Sequence, residues 1–241
     1  MDGLIAGDGG TRCARLLLQL GGGLQLCRRD AFQCCCGAIP ARPGLTVVAN
    51  PRVSRPGWNG RPELLTGLVA PSGATVVSLP PGVAYAAGSL LGDDGPLDVL
   101  PALLGRPDLA VERRVYRWTT SPADLPRIGR WRPAEHPAVP AWLRPFGGHV
   151  LVAEDSRGEH LAGVVIKWHD SLVHELAVGT VEHARGHGFA RLLVAQAAAA
   201  LLSRGVVPTY LHVRENAASA RVAQAVGFVD PGWQSLALSD S

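Results

Sequence analysis

The spacing of apolar residues is clearest in the second half of the chain. "HVLVAED" (149–155) alternates apolar and polar positions as a strand does, and "SRG" then turns. "LAGVVIKWHD" (161–170) and "SLVHELAVGT" (171–180) are two β-rich runs and predict a hairpin. The period then changes. An Ala/Leu run from about Gly188 to Ser203 predicts a helix, with Gly205 placed to end it. "VPTYLHV" (207–213) predicts a strand, "AASARVAQAVG" (217–227) a helix and "WQSLAL" (233–238) a final strand.

The first half is less regular. Up to about residue 60, Gly, Pro and Arg interrupt short apolar pieces. "LTVVA" (45–49) and "ATVVSLP" (74–80) predict strands, and "PLDVLPALLG" (96–105) a short helix ending at Gly105. "AVERRVYRWTT" (110–120) predicts another strand. In "SPADLPRIG", Ser121 is a good N-cap with Pro122 at the first helical position, so a helix is expected there. Strands first, then strand, helix, strand, helix, strand, indicate an α/β fold with a mixed, mostly antiparallel sheet flanked by helices. The boundary between halves is expected near residue 112, giving an N-terminal α/β domain (1–112) and a second domain (113–241). No internal repeat is visible.

Composition narrows the function classes only slightly. With 47% hydrophobic and 18% charged residues in 241, the chain reads as globular. Its net charge of +3 is too small to argue for nucleic acid. No apolar run is long enough for a membrane-spanning helix. "RLLLQLGGGLQLC" has an apolar stretch before Cys27, but three glycines break it and Leu26 stands where a small residue should precede a lipidated cysteine. The expectation is a cytoplasmic protein whose five cysteines are thiols. Cys13, Cys27 and the run Cys34, Cys35, Cys36 contain no CxxC pair, so no metal is expected.

The chemistry concentrates in "ELAVGTVEHARGHGFARLL", where a glycine-rich turn joins a strand to a helix. The first amides of a helix lack internal partners and sit at the positive end of its dipole. With no side chain at Gly186 or Gly188, these N–H groups can surround an anion such as a pyrophosphate, and Arg185 and Arg191 add positive charge at the rim. A Walker loop would need Gly-Lys-Ser/Thr, and the one lysine, Lys167, lies elsewhere. A dinucleotide fold would want a third glycine where Arg191 stands.

Arg185-Gly186-His187-Gly188-Phe189-Ala190 resembles the Arg/Gln-x-x-Gly-x-Gly/Ala signature of the GNAT superfamily of acyl-CoA-dependent N-acyltransferases. "ENAASARVAQAVGF", with Asn216, Ser219 and Gly227-Phe228, follows at a family-like distance. The resemblance covers roughly 113–241, and the N-terminal half could be a degenerate copy of the same fold. It implies acetyl transfer from acetyl-CoA to a primary amine. Val178, Gly179 and Thr180 would pair with the pantetheine arm, residues 186 to 191 would take the pyrophosphate with Arg185 at its rim, and Asn216 would reach the cofactor. The base that frees the attacking amine would be Glu175 or His174, of which only one can face the cleft. Many family members place a tyrosine acid where this chain has Ala223. Ser219 is the nearest replacement, or acts as a cap or cofactor contact. Trp118, Trp131, Trp142 and Trp168 are cleft aromatics or core. The expected partner is a small-molecule or peptide amine, with a homodimer left open and neither nucleic acid nor membrane involved. A non-catalytic acyl-CoA-binding regulator is the alternative.

Overall fold

The computed structural model describes residues 43–57, 60–146, 148–168 and 173–240. The cysteine run, the apolar N-terminal stretch and the tip of the expected hairpin lie outside the described residues. The described residues divide into two compact units, one running up to Val115 and joined by 231–240, the other of residues 116–230.

In the first unit, β1 (Gly44–Ala49), β2 (Thr66–Val69), β3 (Ala74–Leu79), β4 (Leu109–Trp118) and β10 (Gln234–Asp240) form a sheet in the order β1-β3-β2-β10-β4. The β1–β3 pair is parallel, and the β2–β3, β10–β2 and β10–β4 pairs are antiparallel. Helix α1 (Pro81–Leu91) presses Ala84, Ala87 and Leu91 against Leu65, Val77, Leu79, Leu100 and Leu236. The short helix expected around residue 100 is present as a 3₁₀ turn (Leu97–Val99) running into α2 (Leu100–Leu103).

The second unit takes over at Tyr116. Here β5 (Arg130–Pro133), β6 (His149–Glu154), β7 (His160–Trp168) and β8 (Val173–Thr180) pair antiparallel in sequence order, and β9 (Val207–Val213) lies parallel to β8. Alternation along these strands makes two faces. One carries Leu151, Ala153, Val164, Ile166 and Leu176 and packs on α3 (Phe189–Leu202) and α4 (Ala217–Val226). The other carries Val150, Val152 and Val165 and is covered by Val139, Leu143 and Phe146.

The helix expected over "SPADLPRIG" is not formed: residues 122–129 are irregular. Pro126 forces Leu125 toward extended geometry and brings no N–H of its own. Hydrogen bonds to other elements replace those a helix would supply. The Ser121 amide donates to Thr119 Oγ1 (3.2 Å), the Ala123 amide to the Val226 carbonyl (2.8 Å) and the Gly129 amide to Gln196 Oε1 (2.9 Å).

Candidate functional site

The site begins where two parallel strands part. β9 follows β8 only through Val173, His174 and Glu175, opposite Val207, Pro208 and Thr209. From Leu176 to Thr180, β8 keeps a ladder partner on the β7 side alone among the described residues. An extended chain can add to such an edge by the backbone hydrogen bonding of a sheet. Val178, Gly179 and Thr180 all lie in this one-sided stretch. Because β8 and β9 are parallel, α3 and α4, which follow them, start at the same end of the pair.

Beyond Thr180, one 3₁₀ turn (Glu182–Ala184) leads into Arg185-Gly186-His187-Gly188. Both glycines have left-handed backbones, at φ +82° for Gly186 and +81° for Gly188. Only glycine holds that conformation without steric cost. The first α3 bond runs from the Leu192 amide to the Gly188 carbonyl at 3.3 Å, and no side chain caps the helix. The amides of Phe189, Ala190 and Arg191 therefore point out of the first turn, at the positive end of the dipole. A Cβ on Gly186 would stand in open space, while one on Gly188 would come within 3.0 Å of Arg191 Nε. The turn thus presents amides without helical partners, with the Arg191 guanidinium beside Gly188, which suits a phosphate group. Arg185, also exposed, donates from Nε to the Thr180 carbonyl at 3.4 Å, and His187 Nδ1 lies 3.0 Å from the Arg185 carbonyl oxygen. Phe189 is anchored against the α3 core.

Glu175 and His174 are both buried, at 7% and 2% exposure, and face opposite sides of β8. Glu175 stands at the last β8–β9 pair, where the edge opens. Its Oε1 accepts from Lys167 Nζ at 2.7 Å, and that ammonium lies 5.8 Å from the centre of the Phe146 ring. The His174 ring lies against Trp168 with centroids 4.2 Å apart and planes tilted by 50°, and its carbonyl accepts from Thr209 Oγ1 at 3.2 Å. On the Glu175 face, Trp142 lies against Gly179 so closely that a Cβ there would fall 2.2 Å from the indole ring. Of the four tryptophans singled out, Trp118 is core, while Trp131, Trp142 and Trp168 are exposed.

At the start of α4, Asn216 is the N-cap, its Oδ1 accepting from the Ser219 amide at 2.9 Å. The Ser219 side chain hydrogen-bonds the hydroxyl of Tyr210, a buried β9 residue. Burial pushes the Tyr210 phenol above its ordinary value, with the Ser219 bond working the other way. Ala223 is fully buried in the α3–α4 core. Sequence reasoning missed Lys167 and Tyr210 as members of this neighbourhood. The only available signals were that Lys167 is the sole lysine and that Tyr210 stands two places before His212 on a strand.

No group of three or more His, Cys, Asp or Glu side chains that could hold a metal occurs among the described residues. No helix among them is long and apolar enough to cross a membrane.

The model of the acetyltransferase (GNAT) family matches residues 112–228. No curated protein matches the chain. Among solved structures, a GNAT-family acetyltransferase from Novosphingobium aromaticivorans DSM 12444 shares 22% identity at a TM-score of 0.49, covering 68% of this chain and 83% of that one. A GNAT-family acetyltransferase from Colwellia psychrerythraea shares 14% identity at a TM-score of 0.45, covering 68% and 76%. A GCN5-related N-acetyltransferase-like protein from Streptococcus suis 89/1591 shares 19% at 0.41, covering 68% and 71%. Residues 112–228, which hold the open β8 edge, the glycine turn and the start of α4, belong to the GNAT acetyltransferase family.

Proposed function

We propose that the chain transfers an acetyl group from acetyl-CoA to a primary amine by direct attack of the amine on the thioester. The observation that carries this reading is the one-sided β8 edge running directly into the amide-lined turn at the start of α3. Acetyl-CoA supplies a thioester whose carbonyl carbon takes the amine and whose thiol departs. The backbone of Val178, Gly179 and Thr180 holds an extended arm by strand pairing. The amides of residues 186 to 191, with Arg185 and Arg191, hold two phosphates, and Asn216 closes the other side from α4.

Glu175 accepts the proton that an ammonium must lose before it can attack. His174, on the opposite face, is the competing candidate. Holding donor and acceptor together supplies much of the rate. The thiolate is a tolerable leaving group, and the Ser219 hydroxyl, backed by the neutral Tyr210 phenol, is the proton source nearest the start of α4. Acetyl-CoA chemistry of this kind suits the cytoplasm, where the five cysteines stay reduced.

Two measurements test the proposal. Incubation with acetyl-CoA and a panel of amines should release free thiol with at least one of them. Gly188→Val forces a β-branched residue into φ +81° and sets it against the Arg191 guanidinium beside the turn. It should remove CoA binding in calorimetry while leaving the circular dichroism spectrum of the fold in place. Unchanged CoA affinity in a folded Gly188→Val protein refutes the phosphate cradle. CoA binding with no turnover on any amine favours a non-catalytic acyl-CoA-binding regulator, a reading that the buried Ala223 supports by standing where the resemblance places a tyrosine acid.

A further inference from the structure

Arginine fills every basic position of this chain except one. Of its 23 Lys and Arg residues, Lys167 alone is lysine. A guanidinium stays protonated and would pair a carboxylate through two parallel bonds, so arginine would serve a purely structural ion pair at least as well. Lysine brings what arginine cannot: an amine that becomes a nucleophile once it gives up a proton.

The location of that amine is specific. Lys167 Nζ lies 2.7 Å from Glu175 Oε1, and the two side chains are only 13% and 9% exposed. Glu175 occupies the last β8–β9 pair, at the point where the β8 edge opens. The Phe146 ring stands 5.8 Å from the ammonium and gives it an apolar flank. The sole side-chain amine of the protein is therefore already hydrogen-bonded to the carboxylate assigned as base, at the mouth of the strand edge assigned to the acyl donor.

We propose that Lys167 is itself an acyl acceptor, so that the chain acetylates its own Lys167. This inference rests on the acyl-CoA reading given above. In the step, Glu175 takes one proton from the Lys167 ammonium. The Nζ lone pair then forms a bond to the thioester carbonyl carbon, and the carbon–sulfur bond breaks. The thiolate leaves and takes up, as CoA, the proton that Glu175 had accepted, which returns Glu175 to its carboxylate, and the second proton lost from nitrogen passes to solvent. The product is a neutral amide. Acetylation therefore removes the ammonium from Glu175 and leaves that carboxylate beside an amide N–H.

The experiment incubates the purified chain with acetyl-CoA and no added amine, then maps acetylated peptides by mass spectrometry. The expected result is one acetyl group per chain, on Lys167, accumulating to saturation in the folded protein. The same chain unfolded in urea should acquire none over that time. Glu175→Gln should slow the modification by about 10²- to 10⁴-fold, the range for losing a general base. Lys167→Arg keeps the ion pair and serves as the folded control that acquires no acetyl group. The inference is overturned if labelling is equal in folded and unfolded chains, or if only the amino terminus is labelled. It is also overturned if Lys167 stays unmodified in a chain that binds CoA in calorimetry and acetylates an added amine. That last outcome leaves the proposed function standing, whereas a folded chain that does not bind CoA overturns both. Should Glu175→Gln fail to fold, the comparison of folded with unfolded wild-type chain still decides.

Discussion

Neighbouring residues on β8 point to opposite faces, so Glu175 and His174 meet different chemistry. Glu175 meets the Lys167 ammonium at the open end of the strand pair, and His174 meets the Trp168 ring. If Glu175 accepts the amine's proton, Glu175→Gln should lower acylation at neutral pH by roughly 10²- to 10⁴-fold while leaving CoA affinity nearly unchanged. The defect should shrink as pH rises, because more of the amine is then already neutral. His174→Ala should cost less rate and more stability, since it leaves a gap against Trp168. Steady-state rates across pH, with thermal melts of both variants, separate these cases. A rate loss confined to the histidine variant would assign the base to His174. That one of the pair faces each side was legible from strand periodicity alone. The Lys167 partnership was not, because it depends on the register of β7 against β8, and a slip of one residue would send every side chain to the other face. The same holds for Tyr210 and Ser219, which lie on different elements and meet only through the packing of α4 on β9.

At the scale of elements, the strand and helix periods after residue 149 were readable because each segment is long and its pattern uniform. Helix α1 was not. "PGVAYAAGSLL" carries two glycines, each weakening a helix by about 1 kcal/mol relative to alanine. The burial of Ala84, Ala87 and Leu91 in the first unit's core, a tertiary effect, offsets that. The segment 122–129 fails in the opposite sense: good capping residues are present, but two prolines and contacts to other elements decide. Gln196 on α3 holds this segment, its Oε1 accepting from the Gly129 amide at 2.9 Å and its Nε2 donating to the Gly129 carbonyl at 3.0 Å. Gly129 has no room for a side chain, since a Cβ would sit 2.5 Å from Leu193 and 2.8 Å from Leu151. Gln196→Met keeps the volume and removes both bonds, so it should destabilise the second unit by about 1–3 kcal/mol, the cost of leaving partly buried backbone groups unpaired. Urea denaturation followed by far-ultraviolet circular dichroism measures this. An unchanged midpoint would mean that the segment is held by something other than Gln196.

For the whole molecule, local pattern told which segments would be strands but not the order in which they pair. β10 lies between β2 and β4, which precede it by more than a hundred residues, and only long-range packing decides that. Composition was equally silent about acid stability, to which two groups in the second unit contribute. Burial holds the His160 imidazole below its ordinary value, with Glu154 opposing. The unfolded chain therefore binds this proton more readily, and stability is lost as pH falls below about 6.5, the ordinary histidine value. Glu154 acts lower on the scale. Arg132 donates to it through two bonds of 3.0 and 2.9 Å and holds its carboxyl below the ordinary range, with burial opposing. The stability it contributes is complete above about pH 4.3 and is lost as pH falls through the folded-state value. The melting temperature of the second unit should therefore decline in two stages from neutral pH into acid. His160→Gln should abolish the upper stage and keep the lower one, and Glu154→Gln should remove the lower stage at the cost of stability at neutral pH. Scanning calorimetry across that range reads both. An upper stage of undiminished size in a folded His160→Gln protein would assign that proton to another group and refute the account given for His160.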